Sequence, residues 1–407
     1  MKAARWMGTR EIEVGLVPKP TITDPSDAIV QITHCTIGGS DLHIYEGDLN
    51  DAIQKGDIMG QEAIGIVEEV GPKVRTIQPG DRVMILPVVA CGRCEYCQRQ
   101  QYSLCDVTNT SKETEDAYGQ RLSGALGYGR LCGGYPGDQA EYCRVPHADL
   151  TCVKAPRGVD ARKLLGLANV VGTAWHALEL AEVHPGDIVG VWGCGPVGLS
   201  IQRLAQLRSA RKIYAMDRDR ARLRLAEKFG MTPVDVKEHR EVGDYLLSVQ
   251  PQGLDRSIEA CGLGSKHNAS HAAMRTIGLE RESSDTVAAI MKATRKGGNI
   301  ALTGDFCFTT HLPIGPIAQK ALTVRGGQAW PQKVCASSVF HASSDRTQYH
   351  PFLLDLVIQG KIDPSWMFTY EDEFENIADQ YRRFAQHETP GGLKVCLVTA
   401  FGRSEHT

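Results

Sequence analysis

The stretch Asp187–Asp217, DIVGVWGCGPVGLSIQRLAQLRSARKIYAMD, decides the fold of this chain. It begins with the apolar run Ile188–Trp192, turns through Gly193, Gly195 and Gly198, and continues with helical spacing of leucines into a second apolar run. Glycines at this spacing permit a tight turn and let the backbone approach a pyrophosphate, which the free N–H groups of the following helix can bind. The stretch therefore predicts a strand–turn–helix–strand unit that binds a dinucleotide.

The acid that ends this unit bears on the choice of cofactor. Asp217 lies nineteen residues beyond the last glycine of the turn, where it would accept hydrogen bonds from the adenosine ribose and repel a 2′-phosphate. This favours NAD. Arg218 and Arg222 follow closely, and an arginine there can hold a 2′-phosphate, so NADP stays possible. Pro196 and Val197 occupy the first turn of the helix and complete the predicted pyrophosphate site.

Length and composition restrict the class of protein. A chain of 407 residues exceeds one comfortable hydrophobic core, so we expect two domains. The 42% hydrophobic and 23% charged residues are typical of a soluble globular protein. A formal net charge of −3 gives no reason to expect nucleic acid or an anionic membrane as partner. The sequence has no long apolar run, and its N-terminus does not resemble a signal peptide, so we expect a cytoplasmic protein.

The pattern of strand and helix signals changes twice along the chain. Residues 1–165 read as short strands separated by glycine and proline, which predicts a β-rich domain. Residues 166–335 alternate helical and strand patterns, which predicts a doubly wound parallel sheet. Residues 336–407 are less regular, and their final strand, Lys394–Thr399, is expected to return to the first domain. The predicted fold class is α/β.

Four cysteines form a compact cluster in the first domain. Cys91, Cys94, Cys97 and Cys105 supply four soft ligands within fifteen residues, a spacing that can surround a tetrahedral Zn²⁺. No ligand position would be left for water or substrate, so this zinc is predicted to be structural. Four unligated thiols, or a redox-active disulfide pair, are the alternatives. The odd total of thirteen cysteines argues against a disulfide framework.

The cysteine loop, the dinucleotide unit and the run Gly39–Tyr45 together resemble the zinc-dependent medium-chain alcohol dehydrogenases. Within that family, Trp192–Gly198, Gly133–Tyr142 and Arg295–Gly298 look like the glutathione-independent formaldehyde dehydrogenase branch. The resemblance implies a GroES-like, β-rich catalytic domain, a Rossmann dinucleotide domain, and an active site in the cleft between them. It also implies a homodimer or homotetramer.

The family pattern includes a second, catalytic zinc, and this sequence departs from it at all three ligand positions. Gly38, Gln61 and Asn169 stand where the family has Cys, His, and Cys or Asp. Glycine has no ligand atom, and neutral amides are poor zinc ligands beside thiolate, imidazole or carboxylate. The sequence therefore predicts one structural zinc and no catalytic zinc.

The resemblance also assigns roles to nearby residues. Ser40 would lie near the substrate oxygen, His43 in a proton relay near the nicotinamide ribose, and Thr173 against the nicotinamide. A turn-forming serine and a surface histidine are the alternatives for the first two. Gln61 and Asn169 would hydrogen-bond the substrate in place of metal bonds, or would simply fill the vacated space.

Losing the metal removes the Lewis acid that polarises a carbonyl. Hydride transfer remains feasible to an acceptor that is already electrophilic, such as a conjugated enone, an enal or an iminium carbon. We therefore expect an NAD(P)-dependent reductase of an activated C=C or C=N bond in a specialised metabolite. The alternatives are a non-redox isomerase, lyase or cyclase that keeps a bound cofactor, and a pseudoenzyme that binds dinucleotide.

Overall fold

The computed structural model describes residues 1–50, 52–239, 241–262, 285–304, 312–329, 334–335, 347–386, 388 and 391–404. The chain forms two compact units. Unit 1 consists of Met1–Gly172 together with Trp330–Thr407, and unit 2 of Thr173–Ala329. The boundaries predicted from sequence fall at 165/166 and 335/336, a few residues from these divisions.

Short strands predominate in unit 1, whereas strands alternate with helices in unit 2. The strands are β1 Lys2–Gly8, β2 Glu11–Leu16, β3 Ala28–Cys35, β4 Ala63–Val70, β5 Arg82–Ile85, β6 Val88–Val89, β7 Gly124–Ala125, β8 Tyr142–Val145, β9 Cys152–Lys154, β10 Ile188–Trp192, β11 Lys212–Asp217, β12 Thr232–Asp235, β13 Leu254–Glu259, β14 Thr294–Leu302, β15 Thr323–Gly326, β16 Val334–Cys335, β17 Thr347–Gln348, β18 Phe368–Glu373 and β19 Lys394–Val398. The α-helices are α1 Gly39–Glu46, α2 Glu95–Gln98, α3 Lys112–Tyr118, α4 Ala148–Thr151, α5 Ala161–Gly166, α6 Gly172–Leu180, α7 Pro196–Leu207, α8 Arg220–Lys228, α9 Val242–Val249, α10 Asp285–Ala293, α11 Ile314–Lys320, α12 Tyr349–Ile358, α13 Ile377–Ala385 and α14 Ala400–Ser404. A π-helical turn, Leu167–Val171, joins α5 to α6.

Unit 2 is built on a six-stranded sheet. Its strands follow the order β12-β11-β10-β13-β14-β15, and the pairings of neighbours are parallel. Counted from β10, this is the 3-2-1-4-5-6 order of doubly wound dinucleotide-binding sheets. All five residues of β10 are buried, because a central parallel strand is covered on both faces. The predicted doubly wound sheet is confirmed.

Unit 1 is β-rich, as predicted, and its main sheet follows the order β18-β19-β3-β4-β5-β9. Two strands, β8 and β19, pair with the same edge of the central strand β3. Its first half, Ala28–Gln31, pairs with β8, and its last residues, His34 and Cys35, pair with β19. The strand near the C-terminus therefore lies between β18 and β3, and this placement brings its first residue, Lys394, beside the start of α1.

None of the helices in the described part of the chain is both long and apolar enough to cross a bilayer.

Candidate active site

Gly38 precedes α1 and opens onto a group of polar side chains in unit 1. Its backbone is extended, and its N–H donates to Oδ2 of Asp41 at 2.7 Å, which caps the helix. A Cβ atom at position 38 would lie 3.1 Å from Oε1 of Glu62, 3.3 Å from Oδ2 of Asp41 and 3.7 Å from Nε2 of Gln61. Position 38 is therefore closely surrounded by two carboxyl groups and an amide, and a Cβ there would be crowded by both carboxyl groups.

Gln61 and Glu62 are held beside Gly38 by a tight turn. Gly60 has φ +105, and a Cβ there would lie 2.5 Å from Oδ1 of Asp138 and 2.7 Å from the N of Gln139. Position 60 therefore requires glycine, both for its backbone conformation and for its close neighbours. The side chains that follow are nearly inaccessible, with relative exposures of 6% at Gln61 and 2% at Glu62.

Asn169 lies in the π-helical turn between α5 and α6. Such turns shift side chains out of regular helical positions and are frequent at functional sites. The Nδ2 of Asn169 donates to Oε1 of Glu62 at 3.2 Å. The structure thus brings together Gly38, Gln61 and Asn169, the three positions singled out in the sequence, and places Glu62 among them.

Glu62 is also held from the other side. Its Oε2 lies 2.9 Å from Nζ of Lys394, and the two side chains are only 2% and 3% exposed. The same ammonium donates to the carbonyl of Ile37 at 3.1 Å. Because each group is removed from water, the pair must be satisfied internally. Glu62 is therefore fixed by a cation on one oxygen and by an amide on the other.

These residues do not fit a catalytic zinc. Gly38 has no donor atom, and Gln61 and Asn169 offer only neutral amides, which are weak ligands for Zn²⁺. The nearby carboxylate of Glu62 is committed to Lys394 and Asn169. Within the described ranges, the one group of three or more His, Cys, Asp or Glu side chains arranged to hold a metal is the cysteine cluster. No catalytic step is therefore derived through a metal at Gly38.

Burial and mutual repulsion raise the pKa values of two acids near Gly38. The pKa of Asp41 rises to about 7, mainly because the carboxyl is fully buried; the Gly38 N–H opposes the rise and Glu62 adds to it. The pKa of Asp138 is raised well above its usual range by burial, then by Asp41 and Glu62. The backbone N–H groups of Glu62 and of Asp138 itself oppose this rise. The surroundings of Gly38 are thus rich in carboxyl groups.

Ser40 and His43 both lie on α1, three residues apart, so they share one face of the helix. Ser40 is the second residue of this helix. His43 is partly buried, and its Nδ1 lies 3.0 Å from Oδ2 of Asp48. Because an ionised carboxylate only accepts, Nδ1 of the neutral ring carries the proton and Nε2 is the acceptor.

The cysteine loop has the geometry of a closed metal site. The four Sγ atoms of Cys91, Cys94, Cys97 and Cys105 lie within 4.8 Å of one another. Two of their separations are 4.0 Å, Cys91 to Cys97, and 3.9 Å, Cys94 to Cys105. A tetrahedral zinc–thiolate site has sulfur–sulfur distances of about 3.8 Å, since each Zn–S bond is about 2.3 Å. The N–H groups of Cys91 and Cys94 also point at Sγ atoms of the cluster. The cluster fits a structural zinc.

In unit 2, the glycine turn after β10 fits a dinucleotide. Gly193 has φ +106, and a Cβ on Gly198 would collide with the Gly193 carbonyl, so both positions require glycine. A Cβ on Gly195 would meet only Nη1 of Arg222, 4.0 Å away. That open side is at the start of α7, which begins with Pro196 and Val197. The N–H groups of the first turn of α7 have no acceptor within the helix and can bind a phosphate.

The charged residues after β11 lie beside the same turn. Oδ2 of Asp217 accepts from the N of Cys194 at 2.6 Å, and Oδ1 accepts from the N of Arg218 at 2.6 Å. The buried Nε of Arg222 has no hydrogen-bond partner in the described structure and lies 3.9 Å from Oδ2 of Asp219. Asp217, predicted to bind the ribose, and Arg222, predicted to bind a 2′-phosphate, therefore both lie beside the glycine turn. Thr173, predicted to contact the nicotinamide, is the second residue of α6.

Sequence reasoning missed two residues beside Gly38. Lys394 is a lone charge at the start of the apolar strand KVCLV, which is the signal that could have identified it. Asp138 stands in a glycine-rich turn, where an exposed acid would be expected, yet it is fully buried. Both interact with Glu62, which follows the altered ligand position Gln61 directly.

Comparison with known proteins agrees with this architecture. Residues 24–157 match the alcohol dehydrogenase GroES-like domain. A zinc-type alcohol dehydrogenase-like protein of Schizosaccharomyces pombe is 39% identical, over 98% of this chain and 91% of that protein. A glutathione-independent formaldehyde dehydrogenase of Pseudomonas aeruginosa is 29% identical, over 88% of each chain. The solved structure of an alcohol dehydrogenase from Thermus sp. ATN1 superimposes with a TM-score of 0.79 and 28% identity, covering 98% of this chain and 100% of that one. The chain therefore belongs to the zinc-type medium-chain alcohol dehydrogenase family and is an oxidoreductase.

Proposed function

We propose that the protein is an NAD(P)-dependent reductase that works without a catalytic zinc and reduces an activated C=C or C=N bond of a specialised metabolite. The observation that carries the proposal is the set of donors around Gly38. A glycine and two amides occupy the positions of the family's zinc ligands, and the carboxylate among them is fixed by Lys394. Without a Lewis acid, an unactivated alcohol or aldehyde is a poor substrate, whereas a conjugated or cationic acceptor is already electrophilic.

The chain's own side chains replace the metal by positioning the substrate. Glu62 accepts from the amide of Asn169, and the amide of Gln61 lies beside Gly38, so in this proposal both amides hydrogen-bond a substrate heteroatom. In this proposal the Ser40 hydroxyl lies near the reacting group, as the family resemblance implies. His43, oriented by Asp48, moves the proton through Nε2.

The reduced dinucleotide, when bound, supplies the hydride. The glycine turn approaches its pyrophosphate, and Asp217 accepts from its ribose hydroxyls. We propose NAD as the preferred cofactor, because the carboxylate of Asp217 lies against the turn, where a 2′-phosphate would be repelled. Arg222 is close enough to the turn to permit use of NADP.

A substrate panel tests the proposal. The consumption of NADH and NADPH should be measured with an enal, an enone and a cyclic imine, and NAD⁺ reduction with ethanol, benzyl alcohol and formaldehyde. We expect turnover with at least one activated acceptor and none with the simple alcohols. Turnover restricted to the simple alcohols or formaldehyde would contradict the proposal. Failure to consume either cofactor with any acceptor would favour the non-redox or dinucleotide-binding alternatives.

We further propose that the chain belongs with the glutathione-independent formaldehyde dehydrogenase branch and that its substrate is a specialised metabolite rather than formaldehyde. The motifs that carry this are the glycine turn of α7 and the Gly133–Tyr142 segment. We also propose a cytoplasmic homodimer or homotetramer with no nucleic-acid or membrane partner. The small net charge of −3 supports the absence of a nucleic-acid or membrane partner. Light scattering of the purified protein tests the oligomeric state.

A further inference from the structure

We infer that Glu259 is a positioning residue for the nicotinamide half of the dinucleotide. Its buried carboxyl group ties together the residues that follow β13 and β14, and the nicotinamide half binds against these residues. The inference rests on the proposed dinucleotide binding and goes beyond it, because the glycine turn and Asp217 serve the pyrophosphate and the adenosine ribose.

Glu259 lies at the edge of the sheet where a dinucleotide binds. It is the last residue of β13 and is fully buried. β13 pairs in parallel with β10, so the carboxyl ends of the two strands lie at the same edge, which also carries the glycine turn. The strand order of the sheet reverses between β10 and β13. In doubly wound sheets this reversal marks the crevice that receives the dinucleotide.

The carboxyl group of Glu259 accepts hydrogen bonds from two separate loops. Its Oε1 accepts from the backbone N of Cys261 at 2.6 Å and from that of Gly262 at 2.7 Å. Its Oε2 accepts from the backbone N of Gly304, the second residue after β14, at 3.0 Å. One side chain therefore fixes the start of the loop after β13 relative to the start of the loop after β14.

The two loops are also in direct contact with each other. A Cβ on Gly304 would lie 2.3 Å from the N of Gly262 and 2.5 Å from Oε2 of Glu259, so this position has room only for glycine. The hydroxyl of Thr303 donates to the backbone carbonyl of Glu259 at 2.5 Å. The loop after β14 is thus held to Glu259 through both its backbone and a side chain.

The loop after β13 packs against the glycine turn. The N of Ala260 donates to the carbonyl of Trp192 at 2.8 Å. A Cβ on Gly193 would lie 2.8 Å from the carbonyl oxygen of Ala260 and 3.2 Å from Sγ of Cys261. A doubly wound sheet has two mononucleotide-binding halves, and Asp217 belongs to the half that binds adenosine. The residues anchored by Glu259 belong to the other half, which therefore receives the nicotinamide nucleotide.

A purely structural role does not account for a carboxyl group at this position. Burying a charged group costs free energy, and an apolar side chain would fill the same interior at a lower cost. Burial raises the pKa of Glu259, and the N–H groups of Gly262, Cys261 and Gly304 oppose that rise. What the carboxyl group provides is two acceptor oxygens, which hold three N–H groups of two loops in one arrangement.

Glu259→Gln tests the inference with little change of shape. The amide replaces one acceptor oxygen by an NH₂ group, so the N–H groups of one loop lose their acceptor. Calorimetry should give the dissociation constants of NADH, NADPH and ADP, which contains the adenosine and the pyrophosphate without the nicotinamide half. We expect the values for both reduced dinucleotides to rise by about tenfold, and that for ADP to change by less than about twofold. Glu227→Gln is the matched control, because it makes the same substitution at an exposed position of α8 in the same unit.

If Glu259→Gln fails to fold, judged by circular dichroism, Thr303→Val replaces it. This substitution removes one hydrogen bond to Glu259 and should weaken binding of the reduced dinucleotides several-fold, again without affecting ADP. An equal loss of affinity for ADP and the dinucleotides would overturn the inference, because it would indicate general damage to the site. Unchanged affinity for the dinucleotides would also overturn it. Wild-type protein that binds neither NADH nor NADPH would be a failure of the proposed function itself.

Discussion

Lys394 and Glu62 form an ion pair of 2.9 Å with both side chains almost completely buried. Breaking such a pair leaves an uncompensated charge without water, which typically costs about 3–5 kcal/mol. We therefore expect Lys394→Met to lower the free energy of unfolding by about that amount, measured by urea denaturation. Lys361→Met, at an exposed position of the same unit, should change it by less than about 0.5 kcal/mol.

The double variant Lys394→Met/Glu62→Gln distinguishes the cost of breaking the ion pair from the cost of losing packing alone. Removing both charges should recover much of the stability, because the remaining groups are neutral. A double variant as unstable as the sum of its single variants would show that the two residues do not interact.

Metal content should be one zinc per chain, held by the cysteine cluster. Cys97→Ser should remove it, since Cys97 is a buried member of the four, and the loss should be visible by elemental analysis. Restoring the family ligands with Gly38→Cys, Gln61→His and Asn169→Asp together should recruit a second zinc. Two zinc ions in the wild-type protein would contradict the proposed zinc-less site.

The glycine turn of unit 2 should not tolerate a side chain. Gly198→Ala would force a Cβ against the Gly193 carbonyl and should weaken binding of reduced dinucleotide by about a hundredfold, measured by fluorescence titration. Gly315→Ala is the matched control, because it is also helical but its Cβ meets nothing within 4 Å. Equal effects of the two substitutions would show that the turn does not contact the dinucleotide.

Cofactor preference should depend on one acid and one arginine. Asp217→Asn removes the charge that would repel a 2′-phosphate and should lower KM for NADPH relative to NADH by about tenfold. Arg222→Met removes the guanidinium near the turn and should raise KM for NADPH while leaving that for NADH almost unchanged. Steady-state kinetics with NADH and NADPH gives the ratio of the two KM values for each variant. A wild-type preference for NADPH would reverse the assignment of the cofactor.

Asp41 should make stability depend on pH in an unusual direction. Its pKa is raised from 3.8 to about 7 in the folded protein, so the native state binds the proton more tightly than the unfolded state. The stability that this group contributes is complete below its unfolded pKa and is lost as pH rises through about 7. The advantage of wild type over Asp41→Asn in free energy of unfolding should therefore shrink from pH 5 to pH 8. A difference that is constant or grows with pH would contradict this assignment.

The parts of the protein that could be predicted from sequence are those whose residues are close along the chain. The strand–turn–helix unit and the cysteine loop each lie within a few tens of residues, so spacing alone indicates their geometry. The three altered ligand positions can be found in the same way, because the motif around each is local. The proximity of these three positions to the carboxylate of Glu62 depends on the fold and cannot be found from the local motifs.

The parts that could not be predicted arise from irregular backbone and distant pairing. The π-helical turn that places Asn169 against Glu62 has no periodicity in the sequence that could reveal it. Lys394 follows Glu62 by more than three hundred positions, and only the pairing of β19 with β3 brings it near. The burial of Asp138 likewise depends on neighbours that are remote in sequence.

The position of β19 in the sheet determines when the site can form during synthesis. The hydroxyl of Thr36 donates to the carbonyl of Val395, a contact between residues 359 positions apart. All of unit 2 is translated between these two residues and can fold first. Until β19 leaves the ribosome, the end of β3 at His34 and Cys35 lacks its partner on that edge, and Glu62 lacks Lys394. The nascent chain can therefore complete its dinucleotide domain well before its reaction site, and in the interval the unpaired end of β3 is open to pairing with another chain.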